Sequence, residues 1–345
     1  MSLDLPFLAL VVIAVAVLLY VVLDGFDLGV GILFPLARSA GDRDLMMNAI
    51  APYWDGNETW LVLGGGGLLA AFPEAYAILM PAFYLPVMLM LLALILRGVA
   101  FEFRLNGRRR GRQLWTIAFA AGSIAAAFAQ GLLVGGFIQG VKVSVKVTGD
   151  AFAGGSLDWL SPYSLLTGLG LVAGYALLGA SWLLVKTRAG LHGDARKWSA
   201  IAAVAVATLL AAVSLATLVL HPTIGARWGL SSAGVDLDAL SLRAPIPALG
   251  AAGLASVYFG LRRRSHFLPF AGALVVFLSG YLGLAASIFP AIVPYQVSFR
   301  DAANAPNALA LLLGGVAVLL PFILGYTAFV YWLFRGKVTD GAAYH

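Results

Sequence analysis

Apolar residues fall in long, nearly unbroken runs along this chain, with the polar residues gathered between them. Runs fit for helices cover about 6–34, 57–72, 76–101, 114–139, 162–185, 199–220, 245–261, 268–293 and 308–334. A helix needs about 20 apolar residues to cross a hydrocarbon core of about 30 Å, so the pattern predicts nine transmembrane helices. Two of them are weak. The run 57–72 is short unless it begins inside "PYWDGN", and 245–261 is short and opens with "APIPALG". One connection has another rhythm: "VKVSVKVT" (141–148) alternates Val with Lys, Ser and Thr at period two, as a half-buried strand does. No strong internal repeat is visible. By size alone the chain divides into 1–140, a connecting loop at 141–160, 161–293, and a last segment at 294–345 with one helix and a tail.

Composition agrees with an all-α polytopic membrane protein. Hydrophobic residues make up 61%, charged residues 11%, and mean hydropathy is +0.93, whereas soluble domains carry about 25% charged residues. The first run starts near residue 5 without a basic leader or a small-residue cleavage site, so it reads as a retained helix. Of the 22 Lys and Arg residues, 17 lie in or beside the connections after odd-numbered runs, such as "RLNGRRRGR", and 5 in those after even-numbered runs. Basic residues stay on the cytoplasmic side. This places the N-terminus outside and the C-terminus in the cytoplasm, as an odd number of crossings requires. Membrane topology also accounts for the net charge of +6 better than a nucleic-acid partner does.

The chain has no cysteine, which excludes disulfides, thiolate metal sites and cysteine nucleophiles. Its four histidines (His192, His221, His266 and His345) fall at segment ends or in connections, leaving little imidazole for a buried haem. The remaining chemistry is carboxylate. "VLDGFDLGVG" places Asp24 and Asp27 inside an apolar run, and "WDGNETW" places Asp55 and Glu58 at the start of the next. Spacing by three puts both members of each pair on one helix face. A short connection makes the two helices antiparallel neighbours, so the pairs are expected to face each other, with Asp55 opposite Asp27.

An acid near mid-membrane costs about 2.5–3.5 kcal/mol on insertion scales, and several close together favour keeping a shared proton among them, as a proton path needs. A plainer reading has equal weight here: Asp24 is a solvated helix end, "DGN" is a helix start, and the glycines of "GFDLGVG" only let helices pack closely. Arg97 either snorkels to the cytoplasm, the weightier reading, or pairs with the acids; Glu102 is expected to pair with nearby arginines. "GGGG" (64–67) suits the close approach of another helix. Gln130 and Gln139 suit interhelical bonds, and Trp54, Trp60, Trp159 and Trp332 an aromatic belt.

In order and spacing, "LDGFDLGVG", "IAPYWDGNETWL" and "LRGVAFEFR", with the later "IFPAIVP" and "GYTAFVYW", resemble subunit II of cytochrome bd-type quinol oxidases, particularly the cyanide-insensitive branch. The resemblance implies two four-helix bundles, here 1–140 and 161–293, plus a peripheral C-terminal helix. It implies a haem-free chain paired with a subunit I that carries two b-type haems and one d-type haem and oxidises quinol. A small single-span accessory subunit and membrane lipid are further expected partners. Acids matching Asp24, Asp27 and Asp55, with Glu58 beside them and Asn57, Arg97 and Glu102 as polar support, would line a cytoplasmic proton route. A proton-coupled secondary transporter is the alternative that many spans and paired acids leave open.

Overall fold

In the computed structural model, which describes residues 4–106, 109–144, 151–231 and 234–338, the long apolar runs are helices. Helix α1 (Leu5–Leu33) is capped by Asp4, passes through both aspartates, and ends in a 3-10 turn at Phe34–Leu36 where Pro35 interrupts the backbone ladder. The connection after it holds a short helix, α2 (Ala40–Asn48), which the apolar pattern did not foretell. Its signal is a capping box: Ser39 accepts from the Asp42 N–H, and Asp42 accepts from the Ser39 N–H.

Helix α3 (Trp54–Ala71) is followed by α4 (Pro73–Ala82) and α5 (Tyr84–Asn106). The single run expected at 76–101 is therefore two helices meeting at Phe83. Pro81 and Pro86 flank that junction and supply no N–H to carry the ladder across it. Helix α6 (Arg109–Gln139) leads to a two-residue pairing of β1 (Val143–Ser144) with β2 (Ala151–Phe152). The strand expected at 141–148 is real only in this small part; residues 145–150 lie outside the described residues. Beside it, Lys142 pairs with Asp158 at 3.0 Å and holds that carboxyl below the usual carboxylate range.

The second half holds α7 (Pro162–Lys186), α8 (Ala189–Leu220), a short α9 (Pro222–Arg227), the pair β3 (Leu230–Ser231) and β4 (Gly234–Val235), and α10 (Leu237–Arg243). Then come α11 (Pro245–Arg262), α12 (Leu268–Ile288), β5 (Ala291–Val293) paired with β6 (Val297–Ser298), and α13 (Pro306–Leu333). Among the described residues eight helices are long and apolar enough to cross a membrane: α1, α5, α6, α7, α8, α11, α12 and α13. The weak run at 245–261 is one of them. Helix α3 is not, because its 18 residues include Asp55, Asn57, Glu58 and five glycines.

The packing is centred on α1, which lies against α3, α6 and α7, while α5 pairs with α6, α7 with α8 and α11 with α12. The glycines of "GFDLGVG" make that centre possible. A Cβ on Gly29 would sit 1.9 Å from the Tyr175 carbonyl oxygen, and one on Gly179 of α7 would sit 2.3 Å from the Gly29 backbone. The two backbones touch there, and only hydrogen fits between them. Helix α13 buries only Leu309 and runs past α1 and α3. Its end is held by Lys186, a buried ammonium that donates to the Tyr53 hydroxyl at 2.8 Å and to the Phe334 carbonyl.

Candidate functional site

The continuously buried part of α1 runs from Asp24 to Gly31, and neither Asp24 nor Asp27 has exposed surface. Both lie inside a helix that continues to Leu33, so neither is a solvated helix end. The cap reading fails for Asp55 too. Tyr53 precedes α3, no side chain caps that helix, and Asp55 stands exposed in its first turn.

Arg97 reaches from α5 into this buried zone. Its Nη1 donates to Asp24 Oδ1 at 2.7 Å and its Nη2 to Glu58 Oε2 at 2.9 Å, with the Arg97 side chain 2% exposed and Glu58 28%. Snorkelling, the weightier expectation for Arg97, is thus corrected. A guanidinium enclosed by apolar helices needs opposite charge within contact, and the two carboxylates supply it. The Trp54 ring lies 5.9 Å from the guanidinium carbon.

Asp27 has a neutral partner. Asn57 Nδ2 donates to Asp27 Oδ2 at 2.7 Å and to the Leu23 carbonyl at 3.3 Å, and Asn57 Oδ1 accepts from the Tyr331 hydroxyl of α13 at 3.0 Å. The residue expected opposite Asp27 was Asp55. A helix turns about 100° per residue, so the two-residue step from Asp55 to Asn57 crosses to the opposite face, and Asn57 is the one directed at α1. One oxygen of each aspartate, Asp24 Oδ2 and Asp27 Oδ1, is buried without a hydrogen-bond partner among the described residues.

The structure therefore brings together Asp24, Asp27, Glu58, Asn57 and Arg97, and leaves Asp55 on the open face of α3. Glu102 is exposed on α5, while its neighbour Arg104 is buried and pairs with Asp44 at 2.9 Å. Trp60 is buried against Ala16 and Tyr20, away from any lipid belt. Gln139 accepts from Ser161 at 2.6 Å, a bond between α6 and the start of α7. Gln130 joins two tyrosines that the sequence reading did not single out. Its Nε2 donates to the Tyr20 hydroxyl and its Oε1 accepts from the Tyr175 hydroxyl, both at 2.7 Å. A tyrosine four residues before Asp24 in an apolar run was the available signal for the first; Tyr175 carried none.

Histidines offer no comparable cluster. His192 and His266 lie ring to ring at 4.8 Å at helix ends, His221 stacks on Tyr295 at 3.9 Å, and His345 lies outside the described residues. Among the described residues, no three His, Asp or Glu side chains come together as a metal site.

The model of the family described as cytochrome bd terminal oxidase subunit II matches residues 5–334. The chain belongs to this family. It is 28% identical over 362 residues to subunit 2 of the cytochrome bd-I ubiquinol oxidase of Escherichia coli K12, covering 97% of this chain and 95% of the relative. Subunit 2 of the Bacillus subtilis 168 cytochrome bd ubiquinol oxidase is 26% identical, with 95% of each chain covered. A probable cytochrome oxidase subunit 2 of Haemophilus influenzae Rd is 34% identical over 212 residues, 61% of this chain and 56% of that one. Among solved structures, a chain of the bd oxidase from Geobacillus thermodenitrificans has the same fold. It superposes with a TM-score of 0.75 at 15% identity over 97% of this subunit II chain and 100% of the other. Membership of the family displaces the transporter alternative.

Proposed function

We propose that this chain is the haem-free subunit of a quinol oxidase in the bacterial cytoplasmic membrane, where it stabilises subunit I and carries cytoplasmic protons toward the oxygen-reducing site. The observation that carries this reading is the buried acid cluster at the Asp24–Gly31 segment of α1, with the exposed Asp55 beside it. Buried ionisable groups among membrane helices are costly and mark ion or proton pathways. Charge bias puts this end of α1 on the cytoplasmic side.

Two b-type haems and one d-type haem belong, in this reading, to subunit I; held there, they supply electron transfer from quinol and the reduction of oxygen. Among the described residues, His192 and His266, edge to face at helix ends, and His221, stacked on Tyr295, fit no axial pair within the bilayer. What its residues do is hold and move protons. Asp55, open to water or to the partner's surface, admits them; Asp24, Asp27 and Glu58 form the interior set, with Asn57 and Arg97 fixing their places.

Helix α3 would be the ninth span, giving two four-helix bundles with α13 peripheral. Its face at Gly65 and Gly66 meets nothing within 4 Å, and Asp55, Gly56 and Thr59 are exposed beside it. Such a face suits contact with subunit I better than contact with lipid.

Asp55→Asn tests the route, because the amide keeps the shape and cannot ionise. The assembled complex should keep its haem spectrum and lose oxygen consumption at least about tenfold, the low end for removing a proton-transfer group. Full turnover in an intact complex would end the proposal.

A further inference from the structure

Asp24 and Asp27 sit three residues apart on the same helix with no exposed surface, yet their surroundings differ in kind. Asp24 has a cation at 2.7 Å, Arg97. Asp27 is bonded to an amide and, among the described residues, has no cation in contact. Behind Asp24 stands a second buried device. Tyr175 donates to Gln130 and Gln130 donates to Tyr20, each at 2.7 Å. The Tyr20 hydroxyl, having accepted that bond, keeps one proton to donate, and it stands one turn of α1 from Asp24, whose Oδ2 is buried with no partner among the described residues. The donors thus all run one way, from α7 through α6 to α1, and reach Tyr20, one turn before Asp24. At the other end Tyr175 is fully buried and stacked on Phe277 at 5.6 Å, so the row leads to no water and conducts nothing onward. Half-satisfied polar rows are unfavourable inside apolar protein, so a row whose last free proton stands one turn from a partnerless carboxylate oxygen favours closing on that acid and holding it in place.

We infer that the two aspartates have separate jobs: Asp24 is the fixed counter-ion of Arg97, braced by Tyr20, Gln130 and Tyr175, and Asp27 is the acid that exchanges protons. Tyr20 and Gln130 are positioning residues that act through Asp24. In the exchange, the Asp27 carboxylate takes one proton from a hydrated proton on the cytoplasmic side, leaving water. The resulting acid then gives that proton inward and returns to carboxylate. Asp24 and Arg97 keep their charges throughout. This inference rests on the proton-route reading above.

Oxygen consumption by the whole oxidase, beside its reduced haem spectrum, tests it in four variants. Asp27→Asn should assemble and lose turnover at least about tenfold. Asp24→Asn leaves buried Arg97 with only Glu58 and should lose assembly or turnover to a similar degree. The pair Asp24→Asn with Arg97→Gln removes both charges, and should assemble and recover at least about tenfold over Asp24→Asn, since neutralising both members of a buried pair costs far less than stranding one. Tyr20→Phe should lower turnover about three- to tenfold, the range one hydrogen bond carries, but leave the neutralised pair unaffected. A neutralised pair that fails to assemble, or assembles without recovering, overturns the counter-ion role. Equal harm from Tyr20→Phe in both backgrounds overturns the brace. Full turnover in Asp27→Asn overturns the exchange role of Asp27, whereas full turnover in Asp55→Asn brings down the proton route itself, which separates the two failures.

Discussion

Asp55 and Asn57 differ by two positions and have opposite fates, one open and one facing Asp27. Which of two neighbouring polar residues enters a site depends on helix rotation, to which the spacing of acids alone is blind. The same sensitivity appears at Gly29, where α1 and α7 meet backbone to backbone. A methyl there has no room beside the Tyr175 carbonyl oxygen at 1.9 Å, and forcing atoms into a packed interior costs about 1–3 kcal/mol. Gly29→Ala should therefore lower the unfolding temperature of the purified complex and the yield of assembled enzyme. Gly280→Ala, where nothing lies within 4 Å, is the control. Equal melting temperatures would show that α1 and α7 can separate without loss.

At the scale of elements, α13 is, among the membrane-length helices described, the one with least to hold it. Lys186 binds its end through the Phe334 carbonyl, the Gly336 carbonyl at 3.3 Å and the Tyr53 hydroxyl, which itself donates to Phe334 at 2.8 Å. One turn earlier Tyr331 meets Asn57, so the latch bears on the acid cluster through a single helix. Lys186→Met keeps the length and removes the charge; losing a charged hydrogen bond costs about 1.5–3 kcal/mol. Because the chain has no cysteine, Val338→Cys makes a clean reporter of that end. Maleimide should label it at least about tenfold faster in the Lys186→Met background, the low end of what such a loss allows. Unchanged labelling would mean that α13 is anchored elsewhere.

For the whole molecule the charge bias predicts a direction, with Gly193, near the start of α8, on the cytoplasmic side and Gly155, in the loop between α6 and α7, outside. With no native cysteine to interfere, an impermeant maleimide added to intact spheroplasts should label Gly155→Cys, and label Gly193→Cys only after permeabilisation. The reverse result would put the acid cluster at the outer surface and remove it from any cytoplasmic proton route.

The all-α membrane class, most of the helices and the family motifs were legible because each rests on local signals: runs of apolar residues, basic connections, and short motifs in fixed order. So was the identity of the acids, since a carboxylate in an apolar run stands out whatever surrounds it. The split at Phe83 and helix α2 also had local signals, two prolines and a capping box, which run length alone overlooks. What Asp24 and Asp27 do could not be read locally. Arg97 lies 73 positions from Asp24, Asn57 30 from Asp27, Gln130 110 from Tyr20 and Tyr331 274 from Asn57. Sequence made these groups available, and an acid three residues from another looks identical to it in a string. Only packing decided that one would meet a guanidinium and the other an amide, because the charge state and mobility of a buried acid depend on what other helices bring within about 3 Å of it.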